Sequence, residues 1–281
     1  MDKKIDTAVI AVAGWGTRWL PLTKSVEKCM LPVGTRPIVD WIVRDCVKAG
    51  IRRIIFVVGE SSAQIRSYYT PNQPLEDYLI ANHKDAALDL VQQSQYKDVS
   101  FEFIVQPAEG IYGTAVPVAL AYENIGDDEN VAVFMGDDFV YRDDGRNEIA
   151  DFIAEWQKCD AQSAMMVSEV AVEDAPRYGI VMTNEEGNYK EVLEKPSIEI
   201  AKTLIEPQIT ISKYIFGAGM KRYVHEFVAR NKPAGEEYYI FDPMDAAVAE
   251  GHKFHTYHIK GEYLDGGNPQ SWLYANQVVT H

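Results

Sequence analysis

Apolar and polar positions along the chain fall into short strand-like runs and helical repeats that alternate from the start. Ala8-Val9-Ile10-Ala11-Val12 is a continuous apolar run, as expected for a strand buried on both faces. Pro37 then opens a helix in which Ile38, Trp41, Ile42 and Cys46 recur at helical spacing, and Gly50 closes it. Residues 53–58 predict the next strand, ended by Gly59, and Ser61 or Ser62 is placed to cap a helix running to Tyr69. Residues 75–93 read as a longer helical stretch, whole or broken. Residues 101–105 read as a strand, 115–124 as a helix and 131–135 as a strand. Strands alternating with helices imply right-handed βαβ units and a largely parallel sheet covered on both faces.

From about residue 161 the pattern changes. Residues 164–170, 179–183, 189–193 and 211–216 read as strands with few helices between them, and Asn184-Glu-Glu-Gly187 as a hairpin turn. Helices return at 220–230, 243–250 and about 268–279. The expected fold class is α/β: one Rossmann-like, three-layer domain over residues 1–281. A nucleotide-binding half is expected over about 1–140, and a mixed-sheet half that takes a sugar or other acceptor over about 141–281.

The 281 residues carry 27 Lys and Arg against 42 Asp and Glu, a formal net charge of −15. That balance argues against nucleic acid or an anionic membrane surface as the main partner, and at first sight against small anions too. No apolar run approaches the ~20 residues of a membrane span. The short charged start, Met1 to Asp6, is wrongly flanked for a signal peptide. Three cysteines, Cys29, Cys46 and Cys159, match neither a disulfide framework nor a zinc spacing. A reduced, cytoplasmic chain is the expectation.

Open α/β sheets bind ligands beyond the carboxyl ends of their strands, which here means residues 13–28, 59–62, 106–114 and 136–138. The first holds Ala13-Gly14-Trp15-Gly16-Thr17-Arg18-Trp19-Leu20-Pro21. Its glycines let backbone amides approach an anion, and Arg18 adds a planar fork for phosphate oxygens. Lys28 follows ten residues later in Glu27-Lys28-Cys29-Met30-Leu31-Pro32. The dinucleotide fingerprint is incomplete, because position 19 is Trp and no acidic residue ends the second strand. In the third segment the Gln106 amide can donate and accept at once, as a pyrimidine edge requires, and Gly113-Thr114 precedes a helix. Gly136-Asp137-Asp138 ends an apolar strand with two carboxylates, and Asp265 sits in a glycine turn before the last helix. Either could serve a hard, oxygen-seeking cation, although Asp265 or Asn268 could equally cap that helix.

Taken together, Gly-x-Gly-Thr-Arg, Leu-Pro, Lys-x-Met-Leu-Pro and the Arg36-Pro37 helix start resemble the sugar-nucleotidyltransferases. Within them the run from Ala11 to Lys24, and the helical insert 69–97, are most similar to the bacterial UTP–glucose-1-phosphate uridylyltransferases. The resemblance covers nearly the whole chain. It implies transfer of a nucleotidyl group, uridylyl above all, from UTP to glucose 1-phosphate, with Mg2+ as cofactor and pyrophosphate as product. It assigns Arg18, Lys28 and Lys195 to catalysis, with Lys195 also on the sugar phosphate. Ala13, Gly14, Gly16, Thr17, Gln106, Gly113 and Thr114 go to the nucleotide, and Asp138, Tyr178, Gly179 and Glu194 to the sugar phosphate. The metal pair is Asp137 with Asp265. A homo-oligomer, dimer or tetramer, is expected on the same ground. The chain departs from the family pattern at Glu27 (usually Pro), Thr114 (usually His in the uridylyltransferases), Tyr239 (usually Gln) and Phe241 (usually Thr). Those departures leave another nucleotide, such as dTTP, or another sugar 1-phosphate as the alternative. A nucleotide-sugar sensor without turnover is a rival from another class.

Three features are read as structural. His252 and His258 share one face of a strand while His255 faces the other, so they are read as surface or edge histidines. Cys29 lies beside Lys28 without a base partner, and Met165-Met166 is read as core.

Overall fold

The computed structural model describes residues 3–230, 232–233 and 235–280. The first half runs β1 (Ile5–Ala11), the short pair β2 (Pro32–Val33) and β3 (Arg36–Pro37), α1 (Ile38–Lys48), β4 (Arg53–Gly59), α2 (Gln64–Tyr69), α3 (Gln73–Ala81), α4 (Asp85–Gln93), β5 (Ser100–Gln106), α5 (Ala115–Tyr122), β6 (Asn130–Met135) and β7 (Asp138–Tyr141). The second half runs α6 (Glu148–Lys158), β8 (Ser163–Glu169), β9 (Gly179–Thr183), β10 (Tyr189–Glu194), α7 (Ile198–Ala201), β11 (Gln208–Phe216), α8 (Met220–Val228), α9 (Phe241–Ala249), β12 (Phe254–His258), β13 (Glu262–Asp265) and α10 (Pro269–Thr280).

One nine-stranded sheet draws on both halves. Its main path is β10-β9-β11-β6-β1-β4-β5, with β8 against β11 and β12 against β8. The strands β6, β1, β4 and β5 are parallel, as the βαβ alternation predicts. The strand β11 joins β6 antiparallel and opens the mixed half. Strand alternation sends neighbouring apolar residues to opposite faces. Ile10, Phe56 and Phe134 join a core with Ile42 and Cys46 of α1, Ile65 of α2 and Phe152 of α6. Val9, Ile55 and Val133 join another with Val118 of α5, Val224 of α8 and Met244 of α9. Three layers result, helices on each side of one sheet.

Two local outcomes differ from the sequence reading, and a third decides an alternative it left open. The helix α6 went unread, although Ile149, Phe152, Ile153 and Trp156 are buried at helical spacing and Asn147 Oδ1 caps it by accepting from Ala150 N at 2.7 Å. The stretch 75–93 is two helices, separated where His83 takes a left-handed φ of 53°. Neither Ser61 nor Ser62 caps α2. Its first amides instead donate to Glu27 Oε1, from Ala63 N at 2.7 Å and Gln64 N at 2.6 Å. Met165 and Met166 are core residues, as read.

Candidate active site

The carboxyl ends of β1, β4, β5 and β6 lie along one edge of the sheet, in register, with Ala11 beside Val57 and Met135, and Gly59 beside Gln106. The glycine turn after β1 is shaped by sterics. Gly16 has φ +62°, and a Cβ there would lie 2.9 Å from Thr23 Cγ2 and 3.1 Å from Lys28 Cβ. Thr23 Oγ1 donates to Gly16 O at 2.9 Å and holds the turn closed. Gly14 faces open space, and Thr17 and Arg18 are exposed. The loop therefore leaves amides and a guanidinium facing solvent at the strand end, where an anion would meet them.

Lys28 folds back beneath this turn and pairs with Asp137 Oδ2. Burial works against ionisation of Asp137, but the Lys28 ammonium prevails and holds the carboxyl below the usual carboxylate range. Glycines again make the approach possible. A Cβ on Gly136 would lie 2.3 Å from Val12 Cγ1, and one on Gly266 would lie 2.3 Å from Ile38 Cδ1 and 3.0 Å from Asp137 O. Gly266 N donates to Asp137 O at 2.8 Å. The strands β7 and β13 form a short ribbon in which Asp138 is the register partner of Asp265. Asp265 is thus brought near Asp137, whose charge acts on it, from a distant part of the sequence. Burial, with Asp137 adding repulsion, raises the Asp265 carboxyl above its ordinary value. Two neighbouring carboxylates already counterbalanced by a lysine form a donor set that suits a hard divalent cation such as Mg2+.

Asp138 is placed elsewhere. It is 5% exposed and both oxygens are taken, Oδ1 by Lys213 and Oδ2 by the Tyr263 hydroxyl at 2.9 Å. Burial raises its carboxyl to about 7, against the pull of Lys213. Its oxygens face the protein interior rather than the opening where a sugar phosphate was expected to meet them. The reason is local: Asp137 lies in the turn between β6 and β7, whereas Asp138 opens β7 and is held from within by Lys213 and Tyr263.

On the nucleobase side, Gln106 ends β5 partly exposed. Gly113 and Thr114 meet protein backbone. Gly113 has φ +126°, and a Cβ would lie 2.4 Å from Tyr238 N and 2.5 Å from Tyr238 O. Tyr238 N donates to Tyr112 O at 2.8 Å, Ala115 N to Tyr238 O at 2.9 Å, and Ile240 N to Thr114 Oγ1 at 2.9 Å. Gly113 is thus a close-approach residue for the segment around Tyr238, whose backbone fills the side on which a Cβ would project.

On the sugar side, Leu193 pairs with Ile180 and Ile180 with Ile209. Through β11 that register brings the end of β10 to the same sheet edge as the end of β6. Gly179 clears room for Glu194, since a Cβ there would lie 2.8 Å from Glu194 Oε2. Lys195 has a left-handed φ of 43°, its N–H donates to Tyr178 O at 3.0 Å, and its ammonium lies 3.5 Å from Glu194 Oε1. A left-handed backbone costs a residue with a Cβ roughly 1–2 kcal/mol. Tyr178 is exposed beside it, and Tyr239 is exposed within reach of the Glu194 charge.

The profile of the nucleotidyl transferase family matches residues 7–281. The chain belongs to the nucleotidyl transferase family. This nucleotidyl transferase is 30% identical over 287 residues to the UTP–glucose-1-phosphate uridylyltransferase of Escherichia coli (strain K12), covering 98% of this chain and 90% of the relative. It is 31% identical over 277 residues to that of Bacillus subtilis (strain 168), covering 96% and 89%. The solved structure of a UTP-bound UGPase from Acinetobacter baumannii superimposes with a TM-score of 0.86 at 27% identity, over 98% of this chain and 93% of that one.

Two residues of this nucleotidyl transferase escaped the sequence reading. Trp19, noted only as breaking a dinucleotide fingerprint, is buried, and its Nε1 donates to Gly266 O at 2.9 Å. It ties the glycine turn directly to the Asp265 turn and stacks edge-on against Trp272 at 5.6 Å. Lys213, hidden in an apolar strand, is the buried partner of Asp138. An isolated Lys in such a run was its only signal. The histidines do not converge. His252 meets Ser163, His255 meets Glu155 and His258 meets Gln208. Burial pushes the Cys29 thiol far above its ordinary range, so it is no nucleophile.

Proposed function

We propose that this chain transfers the uridylyl group of UTP to glucose 1-phosphate, forming UDP-glucose and releasing pyrophosphate. The observation that carries the reading is the convergence, at one sheet edge, of the open glycine turn with Arg18, Lys28 and the Asp137/Asp265 pair. The relatives' names supply the substrates.

The sugar-phosphate oxygen is already a nucleophile and the nucleotide's α-phosphorus is already activated, so the protein's task is positioning and charge neutralisation. Amides of residues 13–17 and the Arg18 guanidinium hold the triphosphate. Lys28 leaves Asp137 for the phosphates when they arrive, because a triphosphate offers it more negative charge than one carboxylate. Gln106 reads the base edge. Lys195 holds the sugar phosphate, and Glu194 accepts from sugar hydroxyls beside Tyr178 and the backbone of Gly179. Asp137 and Asp265 hold Mg2+, which when bound offsets the repulsion between the two phosphates in the transition state. In-line attack then needs no protein base.

Tyr239, exposed beside Glu194, replaces the family's Gln at the acceptor rim, so the acceptor is tested alongside the nucleotide. Purified protein is given UTP, dTTP, ATP, GTP or CTP with each of several sugar 1-phosphates, and Mg2+-dependent pyrophosphate release is measured. UTP with glucose 1-phosphate is expected to give the fastest release. Binding of UDP-glucose with no release from any pair would identify a sensor instead.

A further inference from the structure

A buried ammonium lies directly behind the two carboxylates, and the mechanism above does not use it. Lys213 is 2% exposed. It sits in β11 where pairing with β8 shifts between Thr210 and Tyr214 and where Ser212 takes a left-handed φ of 54°. Four steps of β11 there oppose two of β8, so two extra residues are accommodated and the alternation of faces is kept. Lys213 shares the inward face of Ile211 and Ile215 and lies beneath the turn between β6 and β7.

The contacts of that ammonium are specific. Lys213 Nζ pairs with Asp138 Oδ1 and donates to Met135 O at 3.3 Å. Met135 and Asp138 are the residues immediately before and after Gly136-Asp137. One side chain therefore grips both ends of the two-residue turn that presents Asp137. On its other oxygen Asp138 accepts from Tyr263 of β13, the strand that ends at Asp265. Asp138 is also the register partner of Asp265. The chain Lys213–Asp138–Tyr263 thus spans from one carboxylate of the pair to the other, from the side away from solvent.

Stability alone is a poor reason for this arrangement. A buried ion pair loses much of its attraction to desolvation, and an apolar pair of similar volume is often as stable. An apolar pair would not hold the Met135 carbonyl or tie β7 to β13.

We propose that Lys213 is a positioning residue that, through Asp138 and Tyr263, sets the separation of Asp137 and Asp265. The proposal rests on reading those two as the metal pair. Outer partners of metal ligands typically change metal affinity or activity by about 10- to 100-fold when removed, and this is the effect expected here.

The test uses Lys213→Met/Asp138→Asn, which removes both buried charges together, and the milder Tyr263→Phe. Mn2+ binding to the full-length protein without nucleotide is measured by electron paramagnetic resonance, together with melting temperature and kinetics. The double variant is expected to melt close to wild type, to bind Mn2+ at least about tenfold more weakly and to lose kcat by a similar factor. Its KM for UTP should stay within about threefold, because the phosphate loop is untouched. Tyr263→Phe should move Mn2+ affinity in the same direction by a smaller factor, and stands as the test if the double variant does not fold. Wild-type Mn2+ affinity and kcat in a folded variant of either kind would overturn the proposal. Asp137→Ala serves as control. If it keeps wild-type Mn2+ binding, the metal-pair reading fails, and this proposal with it.

Discussion

Single residues here are chosen by space and by buried charge. Gly113 is the clearest case of space, because any Cβ would enter the backbone of Tyr238 at 2.4 Å and the φ of +126° excludes other residues. Gly113→Ala should cost at least about 2 kcal/mol of stability, read as a lowered midpoint in urea unfolding. Asp45 is the case of charge. Burial raises its carboxyl from 3.8 to about 6, with Arg44 and Lys48 opposing. The folded chain therefore keeps a proton that the unfolded chain releases first. The sign follows: stability contributed by this group falls as pH rises from about 4 to 6 and is level above. Asp45→Asn should remove that slope, so its stability relative to wild type should increase through this window in urea titrations. An unchanged difference between pH 4 and 7 would show that Asp45 titrates normally.

At the scale of elements, distant segments complete one another. The six-residue α2 is too short to persist alone, and its cap comes from Glu27, the residue where the chain departs from the family pattern. Glu27 N in turn donates to Gln64 Oε1 at 2.8 Å, so the start of α2 and the Lys28 turn form one unit. Glu27→Ala should cost about 1 kcal/mol in unfolding experiments and raise the KM for nucleotide through Lys28, leaving kcat less affected. The strap between residues 112–115 and 238–240 is similar. Its hydrogen bonds link the loop after β5 to the segment carrying Tyr239 and Phe241. Two of the departures noted in the sequence, Thr114 and Tyr239, are therefore parts of one contact region.

Across the whole molecule, the net charge of −15 coexists with a few cations gathered at the strand ends. Arg18, Lys28 and Lys195 stand near the strand ends, where a small anion can reach them while a long polyanion would meet acidic surface elsewhere. Nucleotide bound at this edge as proposed would join β1, β5, β6 and the β7–β13 ribbon, so it should stabilise the entire fold. UTP with Mg2+ at about a hundredfold excess over its Kd should add about 2.7 kcal/mol, seen as a raised melting temperature. UTP with EDTA should give a smaller rise, and equal shifts would argue that the carboxylate pair takes no metal.

What could be read from the sequence was whatever depends on local period and on clustered chemistry. The βαβ alternation, the mixed second half, the glycine turn with Arg18 and Lys28, and Gly-Asp at a strand end lie within short windows, where hydrophobic period and backbone sterics already act. The pairing of Asp137 with Asp265 was not legible locally and came only through resemblance. What tertiary structure decided is direction and partnership across long separations. It turned Asp138 inward onto Lys213 while Asp137 faces Lys28. It filled the space beside Gly113 with Tyr238, and it bound Trp19 to the Asp265 turn. Those outcomes depend on which face of a strand a side chain takes and on which distant segment packs against it. Neither is encoded in local spacing, because the partner a buried side chain meets is set by a segment distant in sequence, as Lys213 meets Asp138.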